Sequence, residues 1–197
     1  MTAPLSAEEP VAQGARVATC TAPDLRSLFE RHYASVWRLL RRFGVQPSQV
    51  DDATQEVFWV AARRLADIQA GREQAFLYGI ALRVALNERR RAKSAAWLVT
   101  TDLSSIDLPD ESTTPEGALE QQQARALLDR VLEQLSIELR TVFVMYELEG
   151  LEVRQIAEIE GIPNGTASSR LRRAREEFAA SARRVRATSG ECGAVER

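Results

Sequence analysis

The chain has 197 residues, enough for one ordinary domain or two small ones, and 45% of them are hydrophobic, so it can bury a core. Its formal net charge of −2 excludes a uniformly basic nucleic-acid binder, although a local patch, not the total, is what meets phosphate. Its two cysteines, Cys20 and Cys192, lie near opposite ends without Cys or His at ligand spacing, so neither a disulfide framework, a metal site nor a cofactor is expected.

Residues 1–23 are rich in Ala, Pro, Thr and Glu without a sustained period and read as a flexible N-terminal extension. From Asp24 the pattern becomes helical. Leu25, Leu28, Phe29, Tyr33, Val36, Trp37 and Leu40 recur at steps of three and four and line one face, and Gly44 stops the helix. Ser48 is the expected N-cap of the next helix, with Asp51 completing a capping-box-like pattern. Val50, Ala53, Val57, Val60 and Ala61 form its inward stripe. Gly71 marks a loop, and a third helix is expected from about Gln74 to Lys93, with Phe76, Leu77, Ile80, Ala81, Val84 and Ala85 inward. These helices share a core and make a first domain, 24–93. His32 sits in the first helix with no nucleophile paired to it in sequence, so no catalytic residue is expected and the chain does not read as an enzyme.

Residues 94–117 change character, with Ser, Thr, Pro and five acids but no Lys or Arg, and read as a flexible acidic linker. Helical period returns over 118–186, a second domain. Leu119, Leu127, Leu128, Val131 and Leu135 mark one helix. Ser136 caps another that turns Leu139, Val142, Phe143 and Tyr146 inward and ends at Gly150. Residues 187–197 read as a flexible tail. The expected fold class is therefore all-α, two small helical domains joined by the linker. No segment reaches the roughly 18–20 apolar residues of a membrane span and no signal peptide is evident, so a soluble, cytoplasmic protein without membrane insertion is expected.

Within the second domain, a short helix over about Glu152–Glu160 is followed by "GIPNG". Gly161 permits a left-handed turn, Pro163 prevents continuation, and Asn164 is a candidate cap for the next helix. There Ala167, Leu171, Ala174 and Phe178 form one apolar stripe. Ser168, Ser169, Arg172 and Arg173 point away from it, with Thr166 and Arg170 beside them. Helix, tight turn and a helix with a small, polar, basic outer face make a helix-turn-helix reader. Seven arginines stand against two glutamates between Gly165 and Arg186, a local excess that the total charge conceals. A solvated arginine face on a structural hairpin is the plain alternative.

At these residues the sequence resembles the bacterial extracytoplasmic-function (ECF) sigma factors. "EGLEVRQIAEIEGIPNGTASSRLRRAREEF" resembles their promoter-reading C-terminal domain. "DDATQEVFWVAARRL" resembles the helix with which they bind the RNA polymerase clamp, and "FLYGIALRVALNERRRAK" the segment that melts and reads the downstream promoter box. The resemblance implies a subunit that binds core RNA polymerase and directs it to promoter DNA of a specific regulon. It assigns the upstream box to Thr166, Ser168, Ser169, Arg170, Arg172 and Arg173. It assigns the downstream box to Arg83, Asn87, Arg90 and Arg91, and polymerase binding to Asp52, Gln55, Glu56, Phe58 and Arg63. It further implies a flipped-base pocket in the loop Ala66–Glu73 and a cognate anti-sigma factor. Tyr78 and Trp59 are available to stack on bases, but packing against protein is the first expectation for both. The chain departs from the family pattern at Ala53, Arg83, Asn87, Ala167 and Ser168, which leaves the fold intact and bears on which promoter is read. A stand-alone DNA-binding regulator explains the second domain but leaves "DDATQEVF" without a purpose. A protein-interaction module with solubilising arginines is the third reading.

Overall fold

The computed structural model describes residues 24–95 and 115–191. The expected extension 1–23, residues 96–114 of the expected linker and residues 192–197 of the tail lie outside the described residues. Among the described residues there are seven α-helices and no strand: α1 (Leu25–Arg42), α2 (Val50–Arg63), α3 (Glu73–Ala95), α4 (Pro115–Glu133), α5 (Ile137–Phe143), α6 (Val153–Glu160) and α7 (Asn164–Glu191).

Helices α1, α2 and α3 pack on one another through the stripes read from the sequence. Leu28, Val36, Leu40, Val57, Leu77, Ala81 and Ala85 are fully or almost fully buried. At about 25 cal/mol per Å² of apolar surface, this burial is the dominant force holding the three together. Helix α2 starts differently from expectation. Pro47–Gln49 form a single 3-10 turn, Gln49 occupies the cap position, and no side chain caps the helix. Asp51 is instead taken by Trp37, whose indole Nε1–H donates to its carboxylate at 2.8 Å. A buried indole N–H needs a partner, and this demand outweighs a cap worth about 1 kcal/mol.

The second half is built on α7, against which α4, α5 and α6 pack. Helix α4 begins at Pro115, inside the stretch read as linker. Its buried residues include Leu132 besides the expected Val131. Ser136 stands at the N-cap of α5, as expected, but through its backbone: its carbonyl accepts from Leu139 and Arg140, and its side chain makes no cap bond. Helix α5 runs into one π turn, Val144–Leu148, which inserts an extra residue and re-aims the acids that follow. Gly150 (φ +71°) then turns the chain toward α6.

The two halves touch. Helix α3 lies against α6, and the C-terminal end of α1 receives side chains from both halves. The Arg140 Nε–H donates to the Arg42 carbonyl, and Arg89 Nη1 donates to the Phe43 carbonyl at 3.1 Å. Guanidinium groups at a helix C-terminus meet unpaired carbonyls and the negative end of the dipole. Arg140 is 3% exposed, and burial together with the neighbouring Arg89 charge pushes its pKa down to about 10. Gly44 (φ +86°) leaves room for both groups, since a Cβ there would collide with Arg89 Nη1 and approach Arg140 Nη1 at 3.2 Å.

Candidate nucleic-acid interface

Helix α6 is anchored at both ends. Glu152 and Gln155 form a reciprocal capping box at its start, a pair the sequence carries at cap and third helical positions but that the sequence reading did not single out. Gly161 closes its end in the left-handed conformation (φ +68°), as its position predicts. Helix α7 opens at Asn164 itself; the Pro163 carbonyl accepts from Thr166 and Ala167, so Pro163, not Asn164, stands at the cap. Ala167, Leu171 and Ala174 are buried, with Phe178 stacked on Phe143 at 4.4 Å between ring centres.

On the opposite face Ser168, Ser169, Arg172 and Arg173 are exposed side by side, and Thr166 is half-buried at the edge. Ser169 Oγ donates to the Thr166 carbonyl at 2.9 Å, which turns its hydroxyl back along the helix. Arg172 and Arg173 each meet a glutamate four residues on, Glu176 at 3.0 Å and Glu177 at 2.9 Å. Such exposed pairs contribute about 0.3–0.5 kcal/mol and exchange readily. Arg170 is placed otherwise. Its Nη1 donates to Glu160 Oε2 at 2.7 Å, and the Glu160 side chain is only 8% exposed. Burial pushes the Glu160 carboxyl above its usual range, and the Arg170 charge opposes that shift. Arg170 therefore ties α7 to α6. Arg175 ties α7 to the π turn, bonding Glu147 at 2.6 Å and lying over the Tyr146 ring.

On α3, Arg83, Asn87, Arg90 and Arg91 are all exposed on one side. Arg91 bonds Glu88 at 2.6 Å, and Arg83 Nη1 reaches the Gly79 carbonyl at 3.4 Å. Arg83 also lines an open cleft with Arg64, Arg72 and Phe76, closed on its far side by Glu158 and Ile159 of α6. Part of this cleft comes from the loop Ala66–Glu73, which holds a 3-10 turn and Gly71 (φ +81°). Tyr78 is fully buried and donates its hydroxyl to Glu149, so it does not stack on a base in this arrangement.

On α2, Asp52, Gln55 and Arg63 are exposed and Glu56 is half-buried. Phe58 departs from the expectation for a contact residue. It is 6% exposed and packs on Phe29 at 4.8 Å between ring centres, where it supports the helix from beneath. Trp59, expected to pack against protein, is instead 59% exposed, with the Arg63 guanidinium 3.9 Å from its ring centre. The exposed polar side of α2 thus includes an aromatic surface that the sequence reading passed over. A tryptophan at a position outside the inward stripe is the signal that pointed to it.

Comparison with known proteins accounts for both halves. Sigma-70 region 2 matches residues 28–95, and Sigma-70 region 4 matches residues 125–178. The ECF RNA polymerase sigma factor SigL of Mycobacterium tuberculosis is 33% identical over 165 residues, covering 80% of this chain and 89% of SigL. The ECF RNA polymerase sigma-E factor of Escherichia coli is 32% identical over 164 residues, covering 76% and 81%. The chain belongs to the ECF sigma factors. The fold is also similar to that of the sigma factor RpoE crystallised with the anti-sigma factor NepR from Bartonella quintana (TM-score 0.64, 16% identity, 80% of this chain and 96% of that one). CnrH, solved in complex with the cytosolic domain of CnrY, is similar as well (TM-score 0.58, 22% identity, 83% and 92%). Among the described residues no helix is long and apolar enough to cross a membrane, and no group of His, Cys, Asp or Glu is arranged to hold a metal.

Proposed function

We propose that this chain is a sigma subunit that binds core RNA polymerase and starts transcription at its own set of promoters. The observation that carries the reading is the outer face of α7, with two serines and two exchangeable arginines on the second helix of a helix-turn-helix. Arginine bonds guanine bidentately in the major groove, and serine reaches bases or phosphate. Arg172 and Arg173 read the upstream box with Ser168 and Ser169, while Thr166 contributes at the edge. Arg170 acts through Glu160 by fixing how α7 projects from α6. Arg83, Asn87, Arg90 and Arg91 hold the downstream box, the arginines on phosphates and the cleft beside Phe76 on an unstacked base. Asp52, Gln55, Glu56 and Arg63, joined by Trp59, meet the polymerase. The similarity to sigma factors solved with anti-sigma partners supports an anti-sigma protein for this chain too.

The test is binding of the purified chain to core RNA polymerase, followed by transcription from genomic DNA fragments. Stable binding and discrete new start sites are expected, and the start sites give both promoter boxes. A folded chain that fails to bind polymerase would reject the reading.

A further inference from the structure

Three ion pairs join the two halves, and all three have the same polarity. Arg41, Arg42 and Arg72 of the first half face Asp129, Glu149 and Glu158 of the second, at 3.7, 2.6 and 3.5 Å. Arg42 and Glu149 are the most enclosed, at 22% and 8% side-chain exposure, whereas Arg72 and Glu158 stand largely in solvent. Glu149 is the pivot of the seam. It accepts from Arg42 and from the Tyr78 hydroxyl, and its own carbonyl accepts from Gln74 at 3.5 Å. The π turn delivers Glu149 to this place while Glu147, two residues earlier, faces Arg175 on α7.

Carboxylates on arginine forks occupy the geometry in which arginine binds phosphate. The first half therefore presents an arginine face that the second half fills with acids. We propose that this face is a binding surface for the DNA backbone, covered in the free chain by the carboxylates of Asp129, Glu149 and Glu158. DNA competing for Arg41, Arg42 and Arg72 releases the halves from each other. Desolvated ion pairs are close to energetically neutral overall, because attraction and desolvation offset one another, so a polyanion shifts the balance by counterion release. The covalent connection permits the change. Residues 96–114 number nineteen and would span roughly 60 Å fully extended. Neighbouring helices in bundles are joined by only about two to eight residues. Arg83 lines the same cleft as Glu158, so opening also removes a negative charge from beside a residue proposed to hold the downstream box.

The test places a donor and an acceptor dye on exposed positions either side of the seam, through Ala70→Cys and Arg154→Cys in the full chain with Cys20→Ser and Cys192→Ser. The probe is a short duplex without promoter sequence, added at constant ionic strength with no polymerase present. Efficient energy transfer is expected for the chain alone, with loss of transfer as duplex is added. The R41A/R42A/R72A triple variant is expected to show low transfer without DNA and normal helical circular dichroism. The exposed pair guards against misfolding: Arg72→Glu lowers transfer, and adding Glu158→Arg restores it. Transfer that stays high at saturating duplex, or that is low in the parent chain from the outset, overturns the proposal. So does failure of the double reversal to restore closure. The inference rests on the proposed function only in taking DNA as the polyanion. Opening by duplex in a chain that does not bind polymerase would therefore reject the sigma reading and support the arginine face.

Discussion

The arginines at the C-terminal end of α1 and those on the outer face of α7 are the same residue put to opposite uses. Around α1, Arg42, Arg89 and Arg140 are turned into protein, and their donors end on carbonyls of neighbouring residues or on an enclosed carboxylate. On α7, Arg172 and Arg173 are about 70% exposed and hold only a glutamate one turn away. Both sets would look alike in a charge count. What separates them is whether the guanidinium has a partner it cannot exchange. Arg170 lies between the cases, on the reading helix by sequence but fastened to Glu160 by geometry.

The sharpest way to break this comparison is Arg170→Ala. It leaves Glu160 enclosed without its cation, and a loss of about 2–3 kcal/mol is expected in urea unfolding, discounted from a fully buried pair for the partial exposure of Arg170. The loss depends on pH. Burial raises the Glu160 pKa in the folded state, so the native chain binds the proton more tightly than the unfolded one. Stability from this group is therefore fully present below the unfolded carboxylate pKa and lost as pH rises through the folded value. Without Arg170 that folded value moves higher, so the deficit of the variant is largest at neutral pH and shrinks on acidification. A pH-independent deficit would show that Arg170 acts only through packing.

Arg173→Ala tests the other set. Unfolding stability is expected to change by no more than about 0.5 kcal/mol, while discrimination at one upstream base pair falls by about 1–2 kcal/mol. Equal loss at all promoter variants would make Arg173 a phosphate contact. Glu56→Arg on α2 is expected to raise the Kd for core polymerase several-fold with helical content unchanged, and an unchanged Kd removes Glu56 from the contact surface. The smallest effect is expected for Glu177→Gln, which frees Arg173 from its neighbour. Helix stability falls by a few tenths of a kcal/mol, and upstream-box DNA binds slightly more tightly in a fluorescence anisotropy titration.

The apolar stripes were legible in the sequence because they are local. Ala167, Leu171 and Ala174 follow the helical period, and Gly161 with Pro163 marks the turn by backbone chemistry alone. The outward placement of Ser168, Ser169, Arg172, Arg173, Arg83 and Asn87 follows from the same period. The fixed arginines were not legible. Arg42 meets Glu149 across 107 positions and Arg140 meets Arg42 across 98, and no short-range pattern encodes such encounters. Asp51 fails as a cap for the same reason, since Trp37 arrives from another helix. Phe58 and Trp59 are adjacent in sequence and point opposite ways, and only the packing of α1 against α2 decides which is covered.

The pairing of Arg172 with Glu176 and of Arg173 with Glu177 leaves this part of the reading face with two positive and two negative side chains. Attraction to arbitrary duplex scales with the phosphates a protein neutralises, so this stretch grips non-promoter DNA weakly. Only where bases offer a bidentate partner is exchanging the glutamates favourable. The acids on α7 thus set how long the chain lingers on each wrong site, and they shorten its search through a genome made almost entirely of wrong sites.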